Sequence, residues 1–297
     1  MAEITRFIDA HHHLWDLEAC RHTWLLQPGR RFFGDPAPIA KNYHVPDFRE
    51  DVGDLPLVGS VHIQVGVEEA QSVGETEWVS SQADEYGLPS AIVAFCDLTA
   101  DNAQSELDRH QAFARLRGVR QIVGRDAVED ARNGTNALLE NPRFKDGLKS
   151  LVDRELSFDL QLTPPLLPAA AKLFQSVDRV PVALCHAGSL QDFSAEGVRD
   201  WEAGLRAFAE VPQAICKLSG FGMFDHDWSA ESIRDYVLRA IDVFGPDRVA
   251  VGSNFPVDKL TASYADTIGA YLKITSGFSA SERDAMFYGT AKAFYRL

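Results

Sequence analysis

Short apolar runs alternate with amphipathic stretches along the whole chain. The runs are rich in β-branched residues and nearly continuous in apolar character, which is typical of strands covered on both faces. Eight runs have this character: "FIDAHHH" (7–13), "LVGSVHIQV" (57–65), "SAIVAFCDL" (90–98), "LRGVRQIV" (116–123), "SFDLQL" (157–162), "VPVALCHAG" (180–188), "AICKLSG" (214–220) and "RVAVGSNFP" (248–256). They predict eight strands in an α/β chain.

The stretches between the runs carry helix start and stop signals. One helix is predicted to begin at Ser194, a second at Ser229 with its end at Gly245-Pro246, and a last one over residues 279–297. Eight strand–helix units predict one closed or distorted (β/α)8 TIM barrel over residues 1–297. A doubly wound open sheet is the rival fold, but no Gly-rich phosphate turn follows an early strand.

The segment 14–56 separates the first two predicted strands and is rich in Pro, Gly and aromatic residues. A connection of this length is unusual in a compact domain unless it serves a function. We therefore interpret it as a long loop insertion that covers the mouth of the barrel.

Polar side chains stand at the ends of seven of the eight predicted strands. Barrel enzymes carry their sites at these ends, and alternate strand residues face the interior. Asp9, His11 and His13 share one parity and are predicted to face inward, whereas His12 faces outward. The other strand-end groups are Gln64 (with His62 before it), Arg120, Gln161, His186, Lys217 and Asn254. Burying such groups without partners is costly, so their convergence predicts an active site.

The candidates divide by chemistry. His11, His13 and His186 are candidates for catalysis and for holding a metal, although a lone strand-end histidine is more often structural. Arg120 and Lys217 are candidate cations for a substrate. Gln64, Gln161 and His44 are further candidate contacts for a substrate. The remaining histidines, His22, His110 and His226, are expected at the surface or in loops. Cys185 lies on the opposite strand face from His186, which disfavours a Cys–His dyad.

The charge composition limits the classes of molecule that the chain is expected to bind. The chain has 43 acidic and 29 basic residues and a net charge of −14, which disfavours nucleic acid and anionic membranes. A small anionic substrate is still compatible if basic residues converge locally. The four cysteines form no CxxC motif, and no signal peptide or membrane span is visible. We expect a cytoplasmic, soluble protein with a small-molecule substrate, and assembly into a homo-oligomer is compatible with this composition.

An ordered set of motifs then points to a family. "IDAHHHLWD" (8–16) resembles the first-strand signature of the amidohydrolase superfamily, in the amidohydrolase 2 branch with L-fuconolactonase-like and 2-pyrone-4,6-dicarboxylate lactonase-like proteins. Further landmarks follow in the same order: "ETEWV" (75–79), "LRGVRQ" (116–121), "FDLQL" (158–162), "CHAG" (185–188), "CKLSG" (216–220) and "VGSNFPVD" (251–258). The resemblance implies a (β/α)8 barrel and hydrolysis of a lactone or a related carbonyl compound.

The resemblance also assigns residues. His11 and His13 match the HxH pair of the family, and His186 matches the histidine of its sixth strand. The family's eighth strand usually reads G-[ST]-D-W-P, and its Asp is the base for water or a metal ligand. This chain reads G-S-N-F-P over 252–256, so Asn254 stands at the Asp position.

Asn254 changes the expected chemistry. An amide can orient water but cannot accept its proton, so another base is needed. His186 and Asp258 are the candidates, and the nearby "FDHD" (224–227) could also reach the site.

The metal question has two open answers. Three neutral imidazoles can hold one divalent metal such as zinc or manganese. The resemblance implies a lysine or glutamate on the fourth strand for a dinuclear centre, where this chain has Arg120. Related lactonases work without an essential metal, so a metal-free site is equally compatible.

The sequence therefore favours a hydrolase for a small polar or acidic carbonyl compound, most simply a sugar-acid or related lactone. A barrel that binds a metabolite without hydrolysing it is the first alternative, because Asn254 replaces the Asp. A metal-dependent decarboxylase is the second.

Overall fold

The computed structural model describes residues 4–126 and 135–297. Within these residues, eight parallel strands pair in sequence order from the first to the last. The strands are β1 (Phe7–His12), β2 (Leu57–Ile63), β3 (Ala91–Ala94), β4 (Leu116–Ile122), β5 (Ser157–Gln161), β6 (Val182–Leu184), β7 (Ala214–Leu218) and β8 (Val249–Val251). The predicted (β/α)8 barrel is confirmed, with strands shorter than the apolar runs that predict them.

Helices follow the strands around the outside of the barrel. In the described residues they are α1 (Thr23–Leu26), α2 (Val45–Val52), α3 (Ser72–Tyr86), α4 (Ala103–Gln111), α5 (Pro142–Asp153), α6 (Leu167–Ser176), α7 (Ala195–Ala209), α8 (Arg234–Phe244), α9 (Tyr264–Ile274), α10 (Ala280–Asp284) and α11 (Thr290–Tyr295). A π-turn over Ala285–Gly289 joins the last two into the predicted terminal helix. None of these helices combines the length and apolar character that a membrane crossing requires.

Side-chain capping by serine determines where two of the predicted helices begin. Ser194 caps α7 as predicted, since its hydroxyl accepts a hydrogen bond from the Gly197 N–H at 3.1 Å. The predicted start at Ser229 is wrong, because α8 begins at Arg234. The Ser229 and Ser232 hydroxyls each accept the backbone N–H of the other, and this reciprocal turn replaces the first helical turn.

Two layers of apolar side chains fill the molecule. The larger lies between the strands and the helices, and the smaller fills the barrel interior. The inner cluster contains Ile8, Ala10, Val61, Ile63, Ala91, Val93, Ala183, Ile215, Ala250, Ala291 and Tyr295. Tyr295 comes from α11, so the last helix closes the N-terminal end of the barrel and leaves the other end for the site.

The first strand departs from simple alternation. Its register with β2 shifts between Asp9 and His12. The prediction that Asp9 faces inward is wrong, because its carboxylate accepts a hydrogen bond from Tyr264 of the helix layer at 2.9 Å. His12 points outward as predicted and stacks on Phe48 of α2, with the ring centroids 4.2 Å apart. A bulge can re-aim side chains in this way, which is why His11 and His13 still reach the interior.

The segment after β1 contains α2, which is the outer helix that follows β1, and a loop that reaches over the barrel mouth. Trp15 and Tyr43 pair as an isolated antiparallel bridge at the base of this loop. Side chains from residues 23–33 then line the opening. The predicted covering role of the segment is confirmed, although its last third is a helix.

Candidate active site

A cavity of about 580 Å³ lies at the C-terminal end of the barrel. Six of the predicted site residues line it: His13, Gln64, Arg120, Gln161, His186 and Asn254. His11 lies beside this set, with its ring centroid 5.1 Å from that of His13 and 4.6 Å from that of His186. Asp258 lies behind Asn254 and does not line the cavity. The sequence prediction thus brings one cluster together at the expected end of the barrel.

His13 has a defined tautomer. Its Nδ1 lies 2.8 Å from the carbonyl oxygen of Ile63, which can only accept, so Nδ1 carries the proton. Burial, with the nearby Arg120 charge as the next cause, lowers the pKa of His13 to about 3. The neutral ring therefore presents the lone pair of Nε2 to the cavity.

His186 is held by an unusual backbone. Residues 186–189 all have positive φ, with His186 itself at φ 55°. Non-glycine residues avoid this region, and such strain concentrates at functional sites. The Nδ1 of His186 lies 2.9 Å from the Ser219 hydroxyl, which leaves Nε2 for the cavity. Burial, followed by the Arg120 charge, lowers the pKa of His186 well below its usual value, so this ring is also neutral.

Asn254 and Asp258 form a pair behind the imidazoles. The Asn254 Nδ2 donates to Asp258 Oδ1 at 2.8 Å, and this bond turns Asn254 Oδ1 towards His13 Nε2 at 3.2 Å. Asn254 also has a positive φ, of 58°. Burial raises the pKa of Asp258 to about 7. Asp258 therefore acts on the cavity only through the orientation it gives to the Asn254 amide.

Arg120 is a buried cation, and no carboxylate within residues 4–126 and 135–297 pairs with it. Its residue is 4% exposed, and its guanidinium donates to Gln161 Oε1 at 3.0 Å and to the Gln64 carbonyl oxygen. Its Nε has no hydrogen-bond partner. Arg31 and Arg125 also line the cavity, whereas no Asp or Glu among the described residues does so. In a chain of net charge −14, this concentrates positive charge at one place.

Several other predicted groups lie away from the cavity. Lys217 is fully buried in an ion pair with Asp159, and Tyr295 also contacts it. His44 is the cap residue immediately before α2, and its Nε2 lies 3.0 Å from Asp16 Oδ2. The residues 225–227 of the "FDHD" stretch do not line the cavity either.

One prediction about the remaining histidines is wrong, because His110 is buried within α4. His22 lies in a loop as expected, although it is buried there. His110 has a specific partner, since its Nδ1 lies 2.9 Å from the Thr76 hydroxyl on the neighbouring helix. Isolated histidines in a helix or loop gave no periodic signal that could distinguish these buried positions from exposed ones.

The covering segment supplies residues that sequence reasoning missed. Thr23, Trp24, Gln27 and the run 31–33 contribute a basic and aromatic wall to the cavity. Trp24 is fixed there because its indole N–H donates to the Val65 carbonyl oxygen at 2.5 Å. The aromatic content of the segment was the available signal, but a loop sequence alone does not give the direction of its side chains.

The fit of a divalent metal can be tested on the donor set. Both ring nitrogens of His11 are buried without a hydrogen-bond partner, as free ligands would be. However, across the described ranges no group of three or more His, Cys, Asp or Glu side chains meets in a geometry that could hold a metal ion. The predicted three-imidazole metal site does not fit the present arrangement of these side chains.

Comparison with known proteins places this arrangement in a family. The model of the amidohydrolase family matches residues 8–297. The chain belongs to the amidohydrolase family. It is 38% identical to the uncharacterized protein y4mH of Sinorhizobium fredii, with 98% of each chain covered. It is 27% identical to an L-fucono-1,5-lactonase of Burkholderia multivorans, over 98% of this chain and 96% of that protein.

A solved structure agrees with these sequence relatives. A zinc-bound amidohydrolase from Burkholderia multivorans superimposes on this amidohydrolase with a TM-score of 0.81, at 25% identity, covering 98% of this chain and 99% of that one. The family, the barrel and the lactonase relatives together identify the protein as a hydrolytic enzyme.

Proposed function

We propose that this amidohydrolase opens a small lactone ring with water, and that its substrate carries an anionic group. The observation that carries the proposal is the pair of acceptors at the cavity wall. His13 Nε2 and Asn254 Oδ1 lie 3.2 Å apart, and neither has a hydrogen to donate to the other. A water molecule that donates one hydrogen to each would be held with its oxygen towards the cavity.

In the proposed reaction the water oxygen forms a bond to the lactone carbonyl carbon while its proton moves to His13 Nε2. The ring C–O bond then breaks, and the leaving oxygen takes this proton from the protonated His13. The neutral ring of His186, the second imidazole at the cavity, hydrogen-bonds to the leaving oxygen. Proton balance is restored because the proton taken from water is the one that the product hydroxyl needs. The product is an open-chain hydroxy acid.

The substrate charge follows from Arg120. Within the part of the chain that the structure describes, the Arg120 guanidinium contacts only neutral oxygens. A cation buried in this way is costly, so a bound anion would stabilise it strongly. Burial is the leading cause of the lowered pKa of both His13 and His186, and the Arg120 charge is the second cause. A substrate carboxylate that pairs with Arg120 would cancel this contribution and make both imidazoles better bases. The substrate would then activate the site that hydrolyses it.

The lactonase relatives support the reaction class, since two proteins similar to this chain are L-fucono-1,5-lactonases. A free carboxylate beyond the lactone group is our addition, and it rests on the buried guanidinium of Arg120 at the cavity. The proposal thus places the substrate among sugar-acid or related lactones with a second acidic group.

The deciding experiment is proton release, followed with a pH indicator, from lactones with and without a free carboxylate. We expect turnover of an anionic lactone, and a loss of at least about a thousandfold in kcat for His186→Asn. Calorimetry of that variant with the ring-opened product should still show binding. Binding without hydrolysis by the wild type would instead favour the metabolite-binding alternative, and release of carbon dioxide would favour the decarboxylase.

A further inference from the structure

The barrel has a seam beside the catalytic groups. The strand pairing runs from β1 to β8, and among the described residues no ladder returns from β8 to β1. Two backbone hydrogen bonds cross the seam instead. Asn254 N donates to His11 O, and His13 N donates to Phe255 O, both at 2.7 Å. The proposed water site therefore lies at this seam, with His13 on the β1 side and Asn254 on the β8 side.

Asp9 joins the two sides of this seam. Its Oδ1 accepts the backbone N–H of His11 at 3.0 Å and that of Ser253 at 2.9 Å. Its Oδ2 accepts the Ser253 hydroxyl at 2.6 Å and the Tyr264 hydroxyl at 2.9 Å. The carboxylate is fully buried, and both its oxygens have two donors. Hydrogen bonds to an ionised carboxylate are stronger than neutral ones, so Asp9 holds the β1 and β8 sides of the seam together strongly.

We propose that Asp9 is a positioning residue, which sets the distance between His13 Nε2 and Asn254 Oδ1 by holding His11 and Ser253 together. Of the residues held by Asp9, His11 lies two positions from His13, and Ser253 lies one position from Asn254. Asp9 does not touch the cavity, so it acts through its neighbours. The catalytic consequence rests on the proposed hydrolysis, whereas the structural tie does not.

The carboxylate cannot be replaced by an amide without loss. All four partners of Asp9 donate hydrogen, whereas an asparagine offers one acceptor and one donor group. In Asp9→Asn the amide oxygen can face the two backbone N–H groups only if the NH2 group faces the Ser253 and Tyr264 hydroxyls. These hydroxyls must then reverse and accept, although Ser253 Oγ already accepts the Phe255 N–H at 3.1 Å, and the charge-assisted bonds become neutral ones. The hydrogen bonds that join the two sides of the seam are therefore weaker. The substrate-binding side, at Arg120 on β4, lies across the barrel and would keep its geometry.

Two measurements on Asp9→Asn test this. Hydrogen exchange should become at least about tenfold faster in peptides covering 8–14 and 251–257, with other strands unchanged. For an anionic lactone, kcat should fall about a hundredfold while KM stays within about threefold, since a small misplacement costs rate rather than binding. Ser253→Ala, which removes only the hydroxyl donor, should show smaller shifts in the same direction and serves if Asp9→Asn does not fold.

Glu106→Gln provides a matched control. Glu106 is a buried carboxylate on α4 that accepts the Ser72 hydroxyl at 2.5 Å, far from the seam. Its loss should lower Tm without changing seam exchange or kcat. Equal behaviour of the two variants would overturn the proposal. Hydrogen exchange at the seam can be measured without substrate. Faster exchange in Asp9→Asn, together with a wild-type protein that hydrolyses no lactone, would support the positioning role of Asp9 and refute the proposed hydrolysis.

Discussion

The Nε2 of His13 and the Oδ1 of Asn254 face each other at 3.2 Å as two hydrogen-bond acceptors. The protonated Nδ1 of His13 donates to the Ile63 carbonyl oxygen, and the Asn254 amide nitrogen donates to Asp258. These two hydrogen bonds, on the side away from the cavity, fix the orientations of the His13 ring and of the Asn254 amide. In the proposed reaction, the eighth-strand amide contributes an acceptor for water although it cannot act as a base. The proposed hydrolysis is therefore compatible with Asn254 at this position.

The first prediction concerns that amide. Asn254→Leu keeps the approximate volume but removes the acceptor, so the water loses one of its two contacts. We expect kcat to fall by about 10²–10³, as for the loss of one oriented polar group in other hydrolases, with KM nearly unchanged. Steady-state kinetics on an anionic lactone will measure this. Retention of most of kcat would contradict the assigned role of Asn254.

The second prediction concerns substrate charge. Arg120→Gln removes the buried cation, and we expect KM for a lactone with a free carboxylate to rise about a hundredfold, consistent with loss of one partner from a buried charge pair. A neutral lactone of the same ring should show little change in KM. Arg143→Gln is a suitable control, because Arg143 forms an exposed ion pair with Asp101 at 2.7 Å. Equal effects on both lactones would assign Arg120 to the reacting carbonyl rather than to a carboxylate.

The third prediction concerns metal. The described His, Cys, Asp and Glu side chains do not converge in groups of three or more on a point that could hold an ion. We expect protein dialysed against a chelator to keep its kcat within about twofold, and elemental analysis to find well under one zinc or manganese per chain. Loss of activity on chelation that returns with added zinc would assign His11, with its two unpartnered nitrogens, to a metal site.

The sequence predicted most of the arrangement because strand ends and parity are local properties. His13, His186 and Asn254 reach one cavity because parallel strands in a barrel deliver their C-terminal residues to the same end. Asp9 was misassigned because the register shift in β1 depends on pairing with β2, which a period-two pattern does not contain. Lys217 does face the barrel interior, but its partners Asp159 and Tyr295 come from distant parts of the chain.

The fourth prediction follows from that buried pair. Lys217→Met leaves the Asp159 carboxylate uncompensated, and we expect a loss of about 3–5 kcal/mol in the free energy of unfolding. The double variant Lys217→Met, Asp159→Leu removes both charges and should recover most of the loss. Urea unfolding measures both values. If Lys217 instead contacts the substrate, the double variant would raise KM for the anionic lactone, whereas the structure predicts an unchanged KM.

Buried imidazoles dominate the expected pH dependence of stability. Burial lowers the pKa of His12 and His13 to about 3 and that of His22 and His110 to about 4. It also lowers the pKa of His11, His62 and His186 well below the usual value of an imidazole. In the unfolded chain each imidazole binds its proton near pH 6.5, so acid favours unfolding. Three buried carboxylates act in the opposite direction, because the pKa is raised to about 6 for Asp9 and to about 7 for Glu75 and Asp258.

Seven imidazoles oppose three carboxylates in the window from about pH 4 to about pH 6.5, so we predict that stability rises with pH there. The urea midpoint should be clearly lower at about pH 5 than at about pH 6.5. His22→Gln removes one imidazole outside the catalytic cluster and should flatten this rise by roughly 1 kcal/mol per pH unit. His226→Gln is the control, since His226 is exposed. Identical slopes for the two variants would mean that the buried imidazoles do not set the acid sensitivity.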